Sequence, residues 1–391
     1  MTSLTVRTSV LPRAPRAVSD GVNRACGWSP DVWLGAPAPG GLALPPANPT
    51  LAWMYSPRGV FFDDRTLVVA DSGNHRVLIW HDLPTRDEQP ADVVLGQPDG
   101  VTEGRGAGGR GPENGMNLPT GVLIHDGRLI VADAWHHRIL VWNTVPQKDS
   151  VPPDVILGQP DASSVEPNMG RAVSASTLYW PFGIAVVGQT FWVADTGNRR
   201  VVGWKGGLPE VTRPADVVLG QPDESTREEN RGEQVGPASF RWPHSITGHD
   251  DLLLIADAGD HRVLGWSPLP SMDTPADALL GQPDFDTARE WPYGPQCGNR
   301  FRFPYSASVD GGRLAVADTA NNRILFWDDV PSDGRAADGV LAQSTFEANG
   351  ENRWDAVTRD SLCWPYSVWL HGNRMAVADS GNNRIVMWRR Q

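Results

Sequence analysis

The chain has 391 residues, of which 41 are Gly and 34 Pro, with 40% hydrophobic and 20% charged residues, a turn-rich composition that argues against a helical bundle. Its net charge of −12 removes the overall basic footprint on which nucleic-acid or anionic-membrane binding relies, and no stretch reaches the ~18 apolar residues of a membrane span. Trp is over-used, 17 copies against 10 Phe and 5 Tyr, so a Trp-bearing unit is being reused.

The N-terminus carries Arg7, Arg13, Arg16 and Arg24 with Pro12 and Pro15 but no continuous apolar core of the kind a secretory signal needs. Residues 1–27 therefore read as a flexible arm on a cytoplasmic protein. The three cysteines, Cys26, Cys297 and Cys363, are far apart and lack a CxxC spacing, which fits reduced thiols. Next comes DVWLGAP from Asp31, a segment of the type ADVVLGQP that returns at Asp92, Asp154, Asp216, Asp277 and Asp338.

From Gly59 onward the pattern is that of short strands punctuated by Gly, Pro and Asp. Strand a runs from Gly59 to Phe62, strand b from Leu67 to Ala70, strand c from Arg76 to Trp80 and strand d from Asp92 to Leu95, with the polar turn DDRT closing an a–b hairpin. In strand c, Val77 and Ile79 point one way and Leu78 and Trp80 the other, so both faces of the sheet need cover. The string VADSGNHRVLIW, residues 69–80, then recurs as VADAWHHRILVW, VADTGNRRVVGW, IADAGDHRVLGW, VADTANNRILFW and VADSGNNRIVMW. Its anchoring aspartates, Asp71, Asp133, Asp195, Asp257, Asp318 and Asp379, lie 62, 62, 62, 61 and 61 residues apart. One supersecondary unit is copied six times.

The last copy ends at Trp388 with only Arg389, Arg390 and Gln391 after it, so its own strand d is missing. The segment Asp31–Leu34 supplies that strand and closes the ring. The expected fold is all-β: a six-bladed β-propeller of four-stranded antiparallel blades, residues 28–391, with the N-terminal strand completing the last blade.

The D-x-G-N-x-R-[IV] signature at the b–c hairpin, with P-x-G at strand a, resembles the NHL repeat, and all six units match over roughly residues 31–391. The resemblance implies a propeller of the kind that serves as a platform for protein or RNA partners, as a sensor domain or, in one branch, as a zinc-dependent amidating lyase. Each unit is longer than the family's usual one, since about 20 residues join strand d to the next strand a. The lyase branch takes zinc-binding histidines from a P-H-S motif on three blades. WPHS at His244 is similar to that motif, whereas the other five blades lack the His, and a catalytic zinc needs three protein ligands.

Residues repeated in every blade, the Asp71, Asn74 and Arg76 set and Trp80 with their equivalents, are expected to build the fold through turn hydrogen bonds and inter-blade packing. Function is sought where the copies diverge. Directly after the strand-a proline stand Arg58, Thr120, Phe182, His244, Tyr305 and Tyr366, expected at the channel mouth. There they either bind a small anionic or aromatic ligand or form a packed plug. At the far end of strand a, Asp63, His125, His249, Asp310 and His371 are metal-competent, with Val187 the exception; the competing reading is hairpin turn chemistry. No cofactor is expected, and a divalent metal in the channel is the alternative. Among the d–a loops, residues 104–111, GRGAGGRG, read as flexible and basic, and Trp291, Tyr293, Arg300, Arg302 and Trp354 are interface-type residues. No GxSxG, HExxH or P-loop spacing occurs. The leading functional reading is a non-catalytic platform for another protein or a ligand, working through the loop-rich face. A metal-dependent hydrolase or lyase built around His244, Tyr305, Tyr366 and Arg58 is the alternative. An RNA binder is a second, disfavoured by the charge.

Overall fold

The computed structural model describes residues 27–290 and 295–391, so the arm apart from Gly27 lies outside it. Six four-stranded sheets form, each with its strands in sequence order from the inside outward, except that the last takes its outermost strand from the N-terminus. Blade 1 comprises Gly59–Phe62, Leu67–Asp71, Arg76–Trp80 and Val93–Leu95. All residues of these four strands are buried, as apolar positions on both faces require. The innermost strands of the remaining blades are Pro119–His125, Pro181–Val187, Pro243–His249, Pro304–Asp310 and Pro365–His371. They pack side by side around the axis.

The ring closes as the repeat count demands. Trp28–Gly35 runs antiparallel to Arg384–Arg390, from Trp28 opposite Arg390 to Gly35 opposite Arg384, with a bulge at Asp31. Trp28 and Leu34 are fully buried, and Trp28 meets the Phe326 ring of blade 5 edge-on at 5.6 Å. Burying side chains of this size stabilises by about 1.5–3 kcal/mol each.

The copied polar residues hold the loops as well as the hairpins. Asp71 Oδ2 accepts from Asn74 Nδ2 at 2.9 Å and Arg76 Nε at 2.7 Å, while its Oδ1 accepts the Tyr55 backbone N–H at 2.7 Å. Arg76 then donates to Gly100 O, Thr50 O and Trp53 O in two different loops. Every nitrogen of this buried cation is satisfied, which offsets its desolvation. In blade 6, Arg384 Nη1 lacks a partner, and the guanidinium lies 3.9 Å from the Trp33 ring centre. The strand-c Trp residues behave similarly. Trp80, Trp142, Trp204, Trp266 and Trp327 donate Nε1–H to a carbonyl of their own c–d loop at 2.8–3.3 Å. Trp388 Nε1 has no partner, because its blade is closed by a strand from the other end of the chain and has no c–d loop.

Two more repeated devices set the loop-rich face. The left-handed residue ending each b–c hairpin offers a side-chain acceptor to the next blade. His75, His137 and His261 Nδ1 take the N–H of Leu118, Trp180 and Phe303 at 3.0–3.2 Å, and Asn322 and Asn383 Oδ1 take those of Trp364 and Ser56 at 2.9 and 3.0 Å. Only a neutral imidazole can accept, and burial pushes the His137 and His261 pKa values down to about 4. Arg199, the blade 3 equivalent, cannot accept, and Trp242 N–H turns to Asp257 Oδ1 at 3.0 Å instead. In the second device, the glutamine following strand d spans from the b–c hairpin to the d–a loop: Gln97 Nε2 donates to Asn74 O at 2.9 Å and Gly104 O at 2.8 Å. Residues 104–111, expected to be flexible, form a compact left-handed turn at Gly106, Ala107 and Gly108, pinned by Gly106 N–H to Met116 O at 2.9 Å.

Candidate ligand and partner site at the channel mouth

Each innermost strand starts at the loop-rich end, and its first residues line the channel. Arg58, Thr120, Phe182, His244, Tyr305 and Tyr366 all border one cavity of about 70 Å³. They lean on one another around the axis. Phe182, His244, Tyr305 and Tyr366 follow at centroid spacings of 4.5, 4.5 and 4.5 Å, and the Arg58 guanidinium lies 4.8 Å from the Tyr366 ring centre. Thr120 completes the circuit through its hydroxyl, which donates to Phe182 O at 3.0 Å. Ring spacings of this size are favourable aromatic contacts: the side chains pack against one another, and the small cavity they border extends along the innermost strands as far as Trp369.

Immediately deeper, the same cavity is bordered by a ring of small residues. Gly59, Gly121 and Gly183 occupy half of it and Ser245, Ser306 and Ser367 the other half. A Cβ on Gly59 would sit 1.7 Å from Thr120 O, and one on Gly183 2.3 Å from His244 O. On the serine side, Ser306 Oγ accepts the Val368 N–H of the next blade at 3.2 Å. Trp369 then packs on Phe61 at 4.8 Å and donates to Phe62 O.

The electrostatics of the mouth are simple. Burial lowers the His244 pKa to about 4, so the ring is neutral and directs Nδ1–H to Trp242 O at 2.9 Å. Burial and the neighbouring Tyr366 hold the Tyr305 hydroxyl protonated. Among the described residues no carboxylate borders the cavity and Arg58 is its one fixed charge. Nε of that guanidinium is buried without a hydrogen-bond partner. An orphaned cationic donor favours an incoming acceptor such as a carboxylate or carbonyl.

Around the mouth stands an outer row that the sequence reading did not single out: the residues preceding the strand-a prolines. Ser56, Leu118, Trp180, Phe303 and Trp364 take positive φ, between 45° and 52°, which is rare for bulky side chains and concentrates at functional positions. Trp180 stacks on the exposed Trp135 at 5.5 Å, Trp242 stacks on Phe303 at 6.2 Å, and Arg241 lies 5.1 Å from the Trp242 ring centre. Trp135, Trp354 and Trp364 are exposed by 44, 65 and 38%. The signal available in the sequence was the recurrent WP and FP dipeptide.

No protein-family model matches the chain. Over 172 residues it is 30% identical to NHL repeat-containing protein 2 of Homo sapiens, covering 39% of this chain and 21% of that protein. Over 165 residues it is 31% identical to NHL repeat-containing protein 2 of Gallus gallus, covering 38% and 21%. This similarity joins the six blades and the buried Asp and Arg of each b–c hairpin. The chain is an NHL-type β-propeller. The match spans about a fifth of the length of these curated relatives. Among solved structures, virginiamycin B lyase from Staphylococcus aureus aligns over 89% of this chain and 98% of its own, at 13% identity and a TM-score of 0.45. Hydrazine synthase of Kuenenia stuttgartiensis aligns over 86% and 96%, at 12% and 0.48.

At the opposite end of this NHL propeller the metal-competent residues are each engaged locally. Asp63 Oδ1 accepts the N–H of Arg65 and Thr66 within its own hairpin, and Asp310 Oδ2 pairs with Arg313 at 2.9 Å. His125, His249 and His371 lie 3.4, 3.1 and 3.0 Å from Asp126, Asp250 and Asp64. Among the described residues no three of His, Cys, Asp and Glu come together as a metal set, and His244 shares its cavity with no second histidine. In the loops, Trp291 and Tyr293 lie outside the described residues. Arg302 pairs with Glu290 at 2.8 Å, and Arg300 donates to Pro295 O at 3.4 Å. No helix among the described residues is long and apolar enough to cross a membrane.

Proposed function

We propose that this NHL propeller is a non-catalytic interaction platform whose loop-rich face receives a protein or peptide partner. The observation that carries the reading is the double ring at that face: partly exposed aromatics, of which Trp180, Phe303 and Trp364 are held at positive φ, around a mouth whose one fixed charge among the described residues, Arg58, keeps an unused buried donor. Rigid aromatics beside Arg are the residue types that dominate binding energy at interfaces. A cavity of about 70 Å³ is far below the ~300 Å³ or more of a typical small-molecule pocket. The mouth therefore suits one side chain or chain end of a larger partner. That group would bring a carboxylate or carbonyl to Arg58 while apolar side chains rest on Trp180, Trp242, Phe303 and Trp364.

The test is quantitative co-isolation from native extract with the intact chain and with a Trp180→Ala, Trp242→Ala, Trp364→Ala variant of matching circular dichroism. The expected result is a partner recovered by the intact chain and depleted about tenfold or more by the variant, since each such anchor contributes upward of about 1 kcal/mol. Equal recovery by both would overturn the reading.

A further inference from the structure

A second cleft, between blades 1 and 2, holds a cavity where two other described d–a loops place one of the protein's own arginines. Four described d–a loops carry the left-handed turn that follows the strand-d glutamine. Its middle residue is Ala107, Met169, Arg231 or Arg353, with φ of 54°, 57°, 63° and 58°. Arg231 reaches from its turn to Ala238 O at 3.0 Å and Asp273 Oδ2 at 2.7 Å. Arg353 donates Nε to Ala342 O at 3.1 Å and Nη2 to Asp360 O and Oδ2, both at 2.8 Å. Between blades 1 and 2 the residue is Ala107, flanked by Gly106 and Gly108, and a cavity of about 320 Å³ borders it.

The carbonyl positions that serve those arginines keep counterparts in the lining of this cavity, and the aspartate has one beside it. Gly96, directly before the strand-d Gln97, corresponds to Ala342 before Gln343. Asn114, seven residues beyond Ala107, corresponds to Ala238 and Asp360, which stand seven beyond Arg231 and Arg353. Both Gly96 and Asn114 border the cavity. Asp149 corresponds to Asp273. Its Oδ1 is anchored to the preceding blade through Val94 N–H at 2.9 Å, two residues earlier along strand d than the Gly220 N–H that holds Asp273 Oδ1 at 3.3 Å. Leu140 and Trp142 supply an apolar wall, and Ser150, next to Asp149, borders the cavity too. Of the cations present, Arg138 is already paired with Asp133 at 2.8 Å, and Arg110 stands at the rim with the exposed Glu113.

We propose that this cleft binds a guanidinium from outside: an arginine side chain presented by a partner peptide or protein, occupying in trans the place that Arg231 and Arg353 occupy in cis. A guanidinium offers the planar fork of donors that carbonyl and carboxylate acceptors match, and its aliphatic stem packs on Trp142 and Leu140. The net charge of −12 draws such a cation in.

The probe is N-acetyl-L-arginine amide, titrated against the full chain by ligand-observed NMR, with N-acetyl-L-citrulline amide as the uncharged isostere. Saturable binding of the arginine amide is expected, about tenfold or more tighter than the citrulline amide. Ala107→Arg should abolish it by supplying the side chain internally, and Arg is tolerated at that φ because Arg231 and Arg353 adopt it. Ala107→Met, copying Met169, is a second variant that fills the cleft without charge and should also block binding. Absence of saturable binding to the intact chain, equal binding of both amides, or unchanged binding in a folded Ala107→Arg or Ala107→Met variant would overturn the proposal.

Discussion

Replacing Asp260 by Asn should stabilise the protein at pH 8 by more than twice as much as at pH 5. In four blades the third residue after the anchoring aspartate is an Asn that donates to its Oδ2 at 2.7–2.9 Å, and in blade 2 His136 does so at 2.9 Å. Blade 4 has Asp260, almost fully buried, with Oδ2 lacking a hydrogen-bond partner and Arg262 Nη2 at 3.6 Å. The Arg262–Asp257 contact is 3.2 Å there, against 2.7–2.8 Å in the other blades. Burial first, and then the Asp257 charge, pushes the Asp260 pKa up from 3.8 to about 7. A folded-state pKa raised above the unfolded value means that the folded state binds the extra proton. The associated stability is therefore complete below about pH 3.8 and is lost as pH rises through about 7. At about 1.4 kcal/mol per unit, the full shift corresponds to a ceiling of about 4 kcal/mol. Protonated Asp260 can donate to Asp257 as Asn does, whereas ionised Asp260 cannot. Urea unfolding at both pH values should give a gain of about 3–4 kcal/mol at pH 8 and about 1.5 kcal/mol at pH 5. An equal effect at the two pH values would refute the reasoning.

The histidine acceptors act in the opposite pH direction. With His137 and His261 lowered from 6.5 to about 4, the unfolded chain binds their protons first, so stability falls as pH drops from about 6.5 toward 4. The double variant His137→Asn, His261→Asn keeps an acceptor, as Asn322 and Asn383 do, and should flatten urea midpoints across that window. Trp28→Ala removes the buried anchor of the closing strand and should cost about 3–5 kcal/mol by equilibrium denaturation; a cost below about 1 kcal/mol would mean that the ring does not depend on this strand. Gly59→Ala places a methyl group 1.7 Å from Thr120 O and should cost at least about 1–3 kcal/mol, whereas Ser367→Gly, at the equivalent position of blade 6, should cost much less in the same assay.

The propeller was legible in the sequence because every blade repeats the same buried demands. Asp71 and Arg76 recur at one spacing, strand c is apolar on both faces, and a spare strand at Asp31 matches a missing one after Trp388. The mouth residues were also legible, since divergence straight after an invariant proline marked Arg58 through Tyr366. Other features depend on distances that a single chain does not display. Arg76 reads as turn chemistry, yet two of its nitrogens tie together loops from two connections. The aromatics before the prolines carry no distinguishing sequence signal beyond the WP and FP dipeptides, and the positive φ of Trp180 and Trp364 appears only in the fold. Residues 104–111 read as flexible from their glycines, but those glycines permit a left-handed turn that Gln97 and Met116 lock in place. The cleft beside Ala107 has no mark in the sequence other than a small residue at the register position of Arg231 and Arg353.

The most direct test of the platform is hydroxyl-radical footprinting of the chain in native extract and in buffer, read at individual aromatic residues. Protection in extract should concentrate on Trp180, Trp242, Phe303 and Trp364, while the hairpin ends at His125, His249 and His371 stay unchanged. Protection at those hairpin ends with none at the rim would contradict the assignment of the loop-rich face as the binding surface.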